Sequence, residues 1–464
     1  MLTKKSLLMS VLLLAALQLG ATMAPAASAR AADDAMLVAH GSPNWVKDGV
    51  IYEIFPRDFS STGDLAGVTK QLDRLQQLGV NILWLMPIHP LGERDKKGTL
   101  GSPYAVRDYY AINPDYGNAE DLHHLVAEAH KRGMKVIIDI VANHTSWDSV
   151  MMQNPEYYKH DADGHILPGQ WDWLDVAKLN YDNPALRQYM TDMLVFWIRD
   201  FDLDGFRCDA ADYVPTSFWE SARAAITQVK PDVVMLAEAE NPKLLLKAFD
   251  IDYDWSMLHT VETVILARQP ASAVRIAWSK AAQRYPQGAL RMRFSDNHDQ
   301  RRAIVQFGEP AALAASALMF TLDGVPMLYN GMEVGDRNES GAPELFEKLP
   351  INWPGTDGQS PISGYYQRLI AFRKAHPALT DGKVLWLSNT DESRVLTFLR
   401  VDARETVLVA INLSDRPFMG RIWDSGGAYS DITPRDPLAA GKFGPANGLP
   451  ALALGAWEFR VYGK

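Results

Sequence analysis

The feature that most constrains this chain is a series of eight short apolar runs, separated by amphipathic segments, several of which end in a charged residue. The runs are Val50–Phe55, Val80–Met86, Lys135–Val141, Gly205–Asp209, Val233–Glu238, Ile251–Trp255, Arg291–Ser295 and Val325–Tyr329. Such alternation predicts βα units around a parallel sheet, and eight strands predict a closed (β/α)8 barrel. Helical periodicity predicts helices over Leu65–Leu78, Ala119–Arg132, Pro184–Phe201, Ser217–Val229, Pro310–Leu322 and Tyr365–Ala375. Gly79 and Gly133 stand just past helix ends, and Pro184 opens a helix after Asp182 and Asn183.

Two departures from the βα rhythm set the remaining organisation. Residues 145–183 are too long for an ordinary connection and read as a short inserted subdomain. Its Trp147, Tyr157, Tyr158, Trp171 and Trp173 are either platforms lining a groove or the insertion's own small core. Beyond the barrel, Val384–Leu387, Val395–Arg400, Thr406–Leu413 and Trp457–Tyr462 predict a C-terminal antiparallel β-sandwich. The expected layout is a signal peptide over 1–31, barrel over 32–144 and 184–380, insertion over 145–183, and sandwich over 381–464.

The N-terminus carries Lys4 and Lys5, then the apolar stretch Ser6–Leu19, then small residues with Ala27-Ser28-Ala29. That is the order of a cleavable signal peptide and predicts a secreted or periplasmic protein, with no membrane insertion after cleavage. The apolar run is short for a membrane span. A formal net charge of −10 argues against nucleic acid as a partner. Cys208 is the single cysteine, so an intramolecular disulfide and a cysteine zinc cluster are both excluded.

A buried parallel strand should be apolar throughout, so acids at strand ends are the main chemical signal. In a barrel, C-terminal strand ends converge on one mouth, where active sites sit. Asp209 ends one run and Glu238 another, and Asp299 closes Phe294-Ser295-Asp296-Asn297-His298. Arg207 and Asp209 lie two apart on a strand and share a face, so Arg207 is expected to hold Asp209 ionised. Cys208 points away, as a small buried hydrophobe. Neighbouring acids and burial are expected to raise the pKa of Glu238, making it a proton donor. An ionised Asp beside a protonated Glu is the arrangement of a retaining glycosidase.

Four motifs occur in order: Asp139-Ile140-Val141-Ala142-Asn143-His144, Gly205-Phe206-Arg207-Cys208-Asp209, Leu236-Ala237-Glu238 and Phe294-Ser295-Asp296-Asn297-His298-Asp299. By these the chain resembles the α-amylase superfamily, glycoside hydrolase family 13, from about Trp45 onward. Gly324–Glu333 and Asp175–Asn180 are similar to two further family motifs. The resemblance implies Asp209 as nucleophile, Glu238 as acid/base and Asp299 as the carboxylate that grips sugar hydroxyls. It implies His144 and His298 as sugar ligands, Arg207 as support for the nucleophile, and Tyr104 as the stacking platform. Glu240 is the rival to Glu238, but the motif puts the acid directly after Leu236-Ala237.

Where many α-amylases carry a Lys-His pair that binds substrate and helps hold calcium, this chain has Asp212 and Tyr213. The loop Arg57–Leu65 also lacks the acid-rich calcium loop of some family members. Asn143 matches one calcium ligand, so a structural calcium stays open, and the chemistry itself needs no cofactor. The implied activity is hydrolysis of α-1,4 bonds in starch-like glucans or maltooligosaccharides. The same chemistry serves an α-glucosidase, a cyclomaltodextrinase or a 4-α-glucanotransferase, and an inactive glycan-binding barrel is the reading from a different class.

Overall fold

Eight strands close into a parallel barrel, and side-chain parity along them sorts what faces the lumen from what faces the helices. The computed structural model describes residues 37–170, 172–338, 344–355, 360–423, 428–435 and 449–464. The leader assigned to 1–31 and the candidate platform Trp171 lie outside the described residues. The barrel strands are β1 (Ile51–Ile54), β2 (Ile82–Leu85), β3 (Lys135–Val141), β6 (Gly205–Asp209), β7 (Val234–Ala237), β8 (Ile251–Tyr253), β9 (Leu290–Arg293) and β10 (Val325–Tyr329). Between β3 and β6 lie β4 (His144–Ser146) and β5 (Val176–Lys178), an antiparallel ribbon within the insertion. The barrel order is β1-β10-β9-β8-β7-β6-β3-β2, closed by the parallel pairing of Ile51 with Met327.

Ile51, Ile82, Ile137, Val234, Leu236, Ile251, Met292, Val325 and Met327 pack together inside the barrel. The alternate positions, among them Leu83, Val136, Ile138, Phe206, Met235 and Leu328, join the larger core beneath the helices. This period-2 sorting is a strand property. It places Glu53, Asp139, Arg207, Asp209 and Glu238 on the lumen side, because each is two or four residues from a lumen position. Cys208 packs in the outer core, as its parity requires.

The helices read from the sequence are found except at one point, and Trp255–Ile265 and Ser272–Arg284 are additional to them. Leu65–Leu78 is two helices, Leu65–Thr69 and Leu72–Leu78, not one. Thr69 turns its hydroxyl back onto the Leu65 carbonyl at 2.9 Å, a competition with the backbone that unsettles short helices. Asn118 forms a capping box with Asp121 before Ala119–Lys131, and Asn183 caps Pro184–Phe201. No helix among the described residues is long and apolar enough to cross a membrane.

The C-terminal strands are β11 (Lys383–Asn389), β12 (Val395–Val401), β13 (Thr406–Asn412), β14 (Phe418–Trp423), β15 (Ser430–Asp431), β16 (Ala451–Leu454) and β17 (Phe459–Gly463). They run in the order β15-β17-β13-β12-β11-β14-β16, with antiparallel pairing throughout. Strand β13 is buried on both faces. Val407, Val409 and Ile411 pack against Met257, Val274 and Leu318 of the barrel helices, while Leu408 and Ala410 meet Phe418, Ile422, Leu452 and Leu454 across the sandwich.

Candidate active site

At the C-terminal ends of the strands the lumen positions change from apolar to charged, and a cavity of about 500 Å³ opens above them. Its floor rests on one guanidinium. Arg207 is fully buried, and its Nη1 lies 3.0 Å from both carboxylate oxygens of Asp139 and 3.2 Å from Asp209 Oδ1. Its Nη2 pairs with Glu238 Oε2 at 2.9 Å, and its Nε donates to the Tyr253 hydroxyl at 3.2 Å. Glu238 Oε2 also accepts the Ala210 N–H at 2.9 Å. Although burial presses the Arg207 pKa down, Asp139 and Glu238 raise it well above the ordinary value, so it stays charged.

Three of the expected residues form a second unit beside it. His298 places Nδ1 on the buried carboxylate of Glu53 and Nε2 3.1 Å from Asp299 and 2.7 Å from the Tyr104 hydroxyl. Burial works against a charged imidazole, but Asp299 and Glu53 overcome it and raise the His298 pKa well above its usual value. His298 is therefore an imidazolium that donates from both nitrogens. Tyr104, kept a neutral phenol by burial, passes its own hydrogen bond on to Asp139 at 3.2 Å. Its ring stacks on His298 at 5.3 Å. Burial raises the Asp299 pKa, yet His298 outweighs it, and Asp299 is held below the usual carboxylate range.

Tyr104, His144, Asp209, Asp212, Tyr213, Glu238, His298 and Asp299 all border the cavity. Arg207 does not. It lies beneath the floor, so the structure makes it a support for carboxylates and not a sugar ligand. The expected division of pKa values also needs correction. Burial first, and then the neighbouring Glu238, push the Asp209 carboxyl well above its ordinary value, and Arg207 only opposes them. Arg207 is shared among Asp139, Asp209 and Glu238, and cannot be the private counter-ion of one. His144 goes the other way. Burial lowers its pKa to about 4, leaving a neutral imidazole that donates to, or accepts at, the groups around it.

Glu240 borders the cavity too, but its carboxylate is engaged by the Ser256 N–H at 3.1 Å, the Ser256 hydroxyl at 2.7 Å and Arg291 at 2.8 Å. Both Glu240 oxygens are thus engaged, which favours Glu238 as the acid. Among the insertion aromatics, Trp173 lines the cavity, in edge contact with His144 and Tyr213. Tyr158 is buried, and the Trp147 indole is spent on the Leu174 carbonyl at 2.8 Å. Of the four described, Trp173 faces the cavity, Tyr158 is in the core, and Trp147 and Tyr157 pack against it half-buried.

Sequence reading missed Glu53, Lys97, Trp255, Leu345 and Phe346. Glu53 carried a visible signal, an acid inside the apolar run Ile51-Tyr52-Glu53-Ile54. Lys97, Leu345 and Phe346 carried none, because segments far apart in the chain bring them to the cavity wall.

The family model for the α-amylase catalytic domain matches residues 48–166 and 170–360. This chain belongs to the α-amylase family of glycoside hydrolases, family 13. It is 29% identical over 422 residues to a cyclomaltodextrinase from Bacillus sp., covering 80% of this chain and 73% of that one. It is 30% identical over 406 residues to an intracellular maltogenic amylase of Bacillus subtilis strain 168, covering 77% and 67%. The crystal structure of an α-amylase from Lactobacillus plantarum superposes with a TM-score of 0.80 at 30% identity, covering 90% of this chain and 99% of that one. A maltogenic α-amylase from Thermotoga neapolitana gives 0.79 at 29% identity, covering 90% and 97%.

Family membership raises the question of calcium, and the residues around Asn143 do not suit it. The Asn143 amide lies 3.1 Å from His144 Nδ1. The nearby carboxylate of Asp175 is paired with the Lys97 ammonium at 2.8 Å, and both Lys97 and Lys178 act electrostatically on His144. Two ammonium groups acting on the residue next to Asn143 oppose a divalent cation there.

Proposed function

We propose that this family 13 enzyme hydrolyses α-1,4-glucosidic bonds of cyclic and short maltooligosaccharides with retention of configuration, as a cyclomaltodextrinase or maltogenic amylase does. The observation that carries the chemistry is the convergence of Asp209, Glu238 and Asp299 from three strand ends on one cavity. In this reading Asp209 attacks the anomeric carbon and forms a C1–O bond as the glycosidic C1–O bond breaks. Glu238 donates a proton to the departing oxygen. Glu238 then takes a proton from water, and that water attacks C1 and frees Asp209. Asp299 and the His298 imidazolium hold sugar hydroxyls, and Tyr104 offers its ring face to the sugar. Arg207 orients the carboxylates from beneath the floor without touching substrate. No cofactor enters these steps.

The choice of substrate rests on the cyclomaltodextrinase and maltogenic amylase relatives. Cleavage of internal bonds in starch, as an α-amylase, is the second reading, and the likeness to the Lactobacillus plantarum α-amylase favours it. Initial rates on β-cyclodextrin, maltoheptaose, soluble starch and an end-blocked maltoheptaoside separate them. Cyclodextrin and maltoheptaose outpacing starch supports the first. Starch fastest, with the blocked substrate cut, moves the enzyme to the second, and failure on all four removes both. Export follows from the charged, apolar and small-residue order of Met1–Ala31. N-terminal sequencing of protein recovered outside the cytoplasm tests it, since an uncleaved Met1 would overturn it.

A further inference from the structure

Beside the active-site cavity, a second opening of about 590 Å³ lies between the helices Trp255–Ile265 and Ser272–Arg284. The two helices form a hairpin whose open end is at Glu240. Ser256, in the first turn of one, donates to the Glu240 carboxylate, and Arg284, in the last turn of the other, donates to the Glu240 carbonyl. Gln269, in the connection between the helices, marks the far end of the opening, so the space is a groove running from Glu240 to Gln269. From Ala273 to Arg284 it follows about 16 Å of helix. Ala273, Ala277 and Ala281 recur at a spacing of four and share one helix face, where their short side chains leave the space that makes the groove.

The groove and the cavity meet at Glu240, which borders both. Trp255 borders the cavity, and its ring stacks on His259, one turn further along the helix, which borders the groove. Arg291, only 5% exposed, lines the groove near this junction and is met by Asp252, Asp254 and Glu240. Three carboxylates around one guanidinium leave that end without a positive excess, which disfavours an anion. A neutral ligand rich in hydroxyls suits it. His259, Gln269 and Lys280 present exposed polar ends to such hydroxyls, and the alanine face accepts C–H surface.

We propose that this groove is a secondary binding site for the free tail of a linear α-glucan whose other units lie in the cavity. The inference rests on the proposed glucan hydrolysis and specifies which substrates gain from chain length. Cavity and groove each fall within the ~300–1,000 Å³ that holds one compact ligand, and their meeting at Glu240 lets one chain occupy both. Once part of the chain is in the cavity, the contact of its tail with the groove is intramolecular, which raises affinity without any change at the carboxylates. A closed ring of glucose units has no end to lay along the groove. It engages the cavity alone.

The test compares maltoheptaose with β-cyclodextrin, which carry the same number of glucose units and differ in having ends or none. Ala277→Trp fills the groove midway, and Lys280→Ala removes an exposed donor from its wall. Ala277→Trp should raise the KM for maltoheptaose about tenfold, equivalent to ~1.4 kcal/mol, with kcat kept. Lys280→Ala should raise it about threefold, the loss of roughly one hydrogen bond. Kinetics on β-cyclodextrin should be the same in all three proteins, and if the wild type spares the ring, maltotriose takes its place as the substrate without a tail. Equal losses on both substrates would make the groove structural and overturn the proposal. A wild-type KM for maltoheptaose in both variants, at wild-type Tm, also overturns it. No cleavage of any α-glucan by the wild type removes the proposed function and the groove's role with it, so the two failures are distinct.

Discussion

Arg207 and Arg400 are both wholly buried, yet one serves chemistry and the other serves assembly. Arg207 stands among Asp139, Asp209 and Glu238, and the last two border a cavity. Arg400, on β12, donates only to main-chain carbonyls, Thr321 at 2.7 Å and Gly382 at 3.0 Å. Arg373 assists it, reaching the carbonyls of Phe320, Leu322 and Gly324. All of these carbonyls but that of Gly382 lie at and just beyond the end of the helix Glu309–Thr321, where the backbone lacks helical donors and the dipole is negative. The partners also move the pKa values in opposite senses. Carboxylates outweigh burial and raise that of Arg207, whereas burial outweighs the pull of Asp323 and lowers those of Arg373 and Arg400. A buried charge is thus not in itself a functional mark. What marks the mouth is an excess of carboxylates over cations with solvent on one side.

The comparison breaks most sharply at Asp209. Asp209→Asn should lower kcat/KM on maltoheptaose by about 10⁴-fold or more, the scale seen when a nucleophile is removed. The same change should raise Tm. The folded-state pKa of Asp209 lies above its unfolded value, so ionising it at neutral pH disfavours the fold, and an amide removes that burden. Loss of activity together with loss of stability would mean that Asp209 is structural, as Arg400 is.

Glu238→Gln sharpens the division of labour within the mouth. A general acid contributes roughly 10²–10⁴-fold, and only where the leaving group needs a proton. The variant should therefore lose that factor on maltoheptaose and far less on an aryl maltoside whose phenol leaves as an anion. Equal losses on both substrates would assign the acid elsewhere, with Glu240 next in line.

At the joint, Arg400→Met should leave kcat unchanged and destabilise the protein by about 3 kcal/mol, at roughly 1–3 kcal/mol for each orphaned carbonyl. Chemical denaturation with activity measured on the folded fraction checks this. A fall in kcat without a fall in stability would erase the distinction between the two arginines.

Much of this was legible in the chain, and what was not has a physical cause. Each barrel strand was visible because a fully buried parallel strand must be an apolar run, and the acids at its end stand out against it. Strands β14 and β16 were missed because their apolar positions alternate with exposed ones over a few residues, as in Met419 and Trp423. The helices Trp255–Ile265 and Ser272–Arg284 were missed for lack of punctuation, the second having no side-chain cap. Local parity placed Arg207 and Asp209 on one face correctly. It could not foresee that Asp139, 68 residues away in sequence, would share Nη1 of the guanidinium with Asp209. The cavity wall was invisible for the same reason, since Lys97, Asp175 and Phe346 come to it only through tertiary structure.

The smallest expected effect concerns pH, and it separates the mouth from the joint in solution. Burial raises the Asp139 pKa to about 6, against the pull of Arg207, from an ordinary value of 3.8. Below that ordinary value both folded and unfolded chains are protonated, and Asp139 costs nothing. As pH rises from about 4 toward 6 the unfolded chain releases its proton first, so the folded state loses stability relative to it. Above about 6 both are ionised and the loss levels off. Asp139→Asn should flatten the part of the stability profile between pH 4 and 6 that this group contributes, while Arg400→Met lowers the whole profile without changing that slope. Urea midpoints at pH 4, 5, 6 and 7 for the three proteins make the comparison. An unchanged slope in Asp139→Asn would mean that Arg207 fully compensates Asp139, and that the excess of negative charge in the mouth is carried by Asp209 and Glu238 alone.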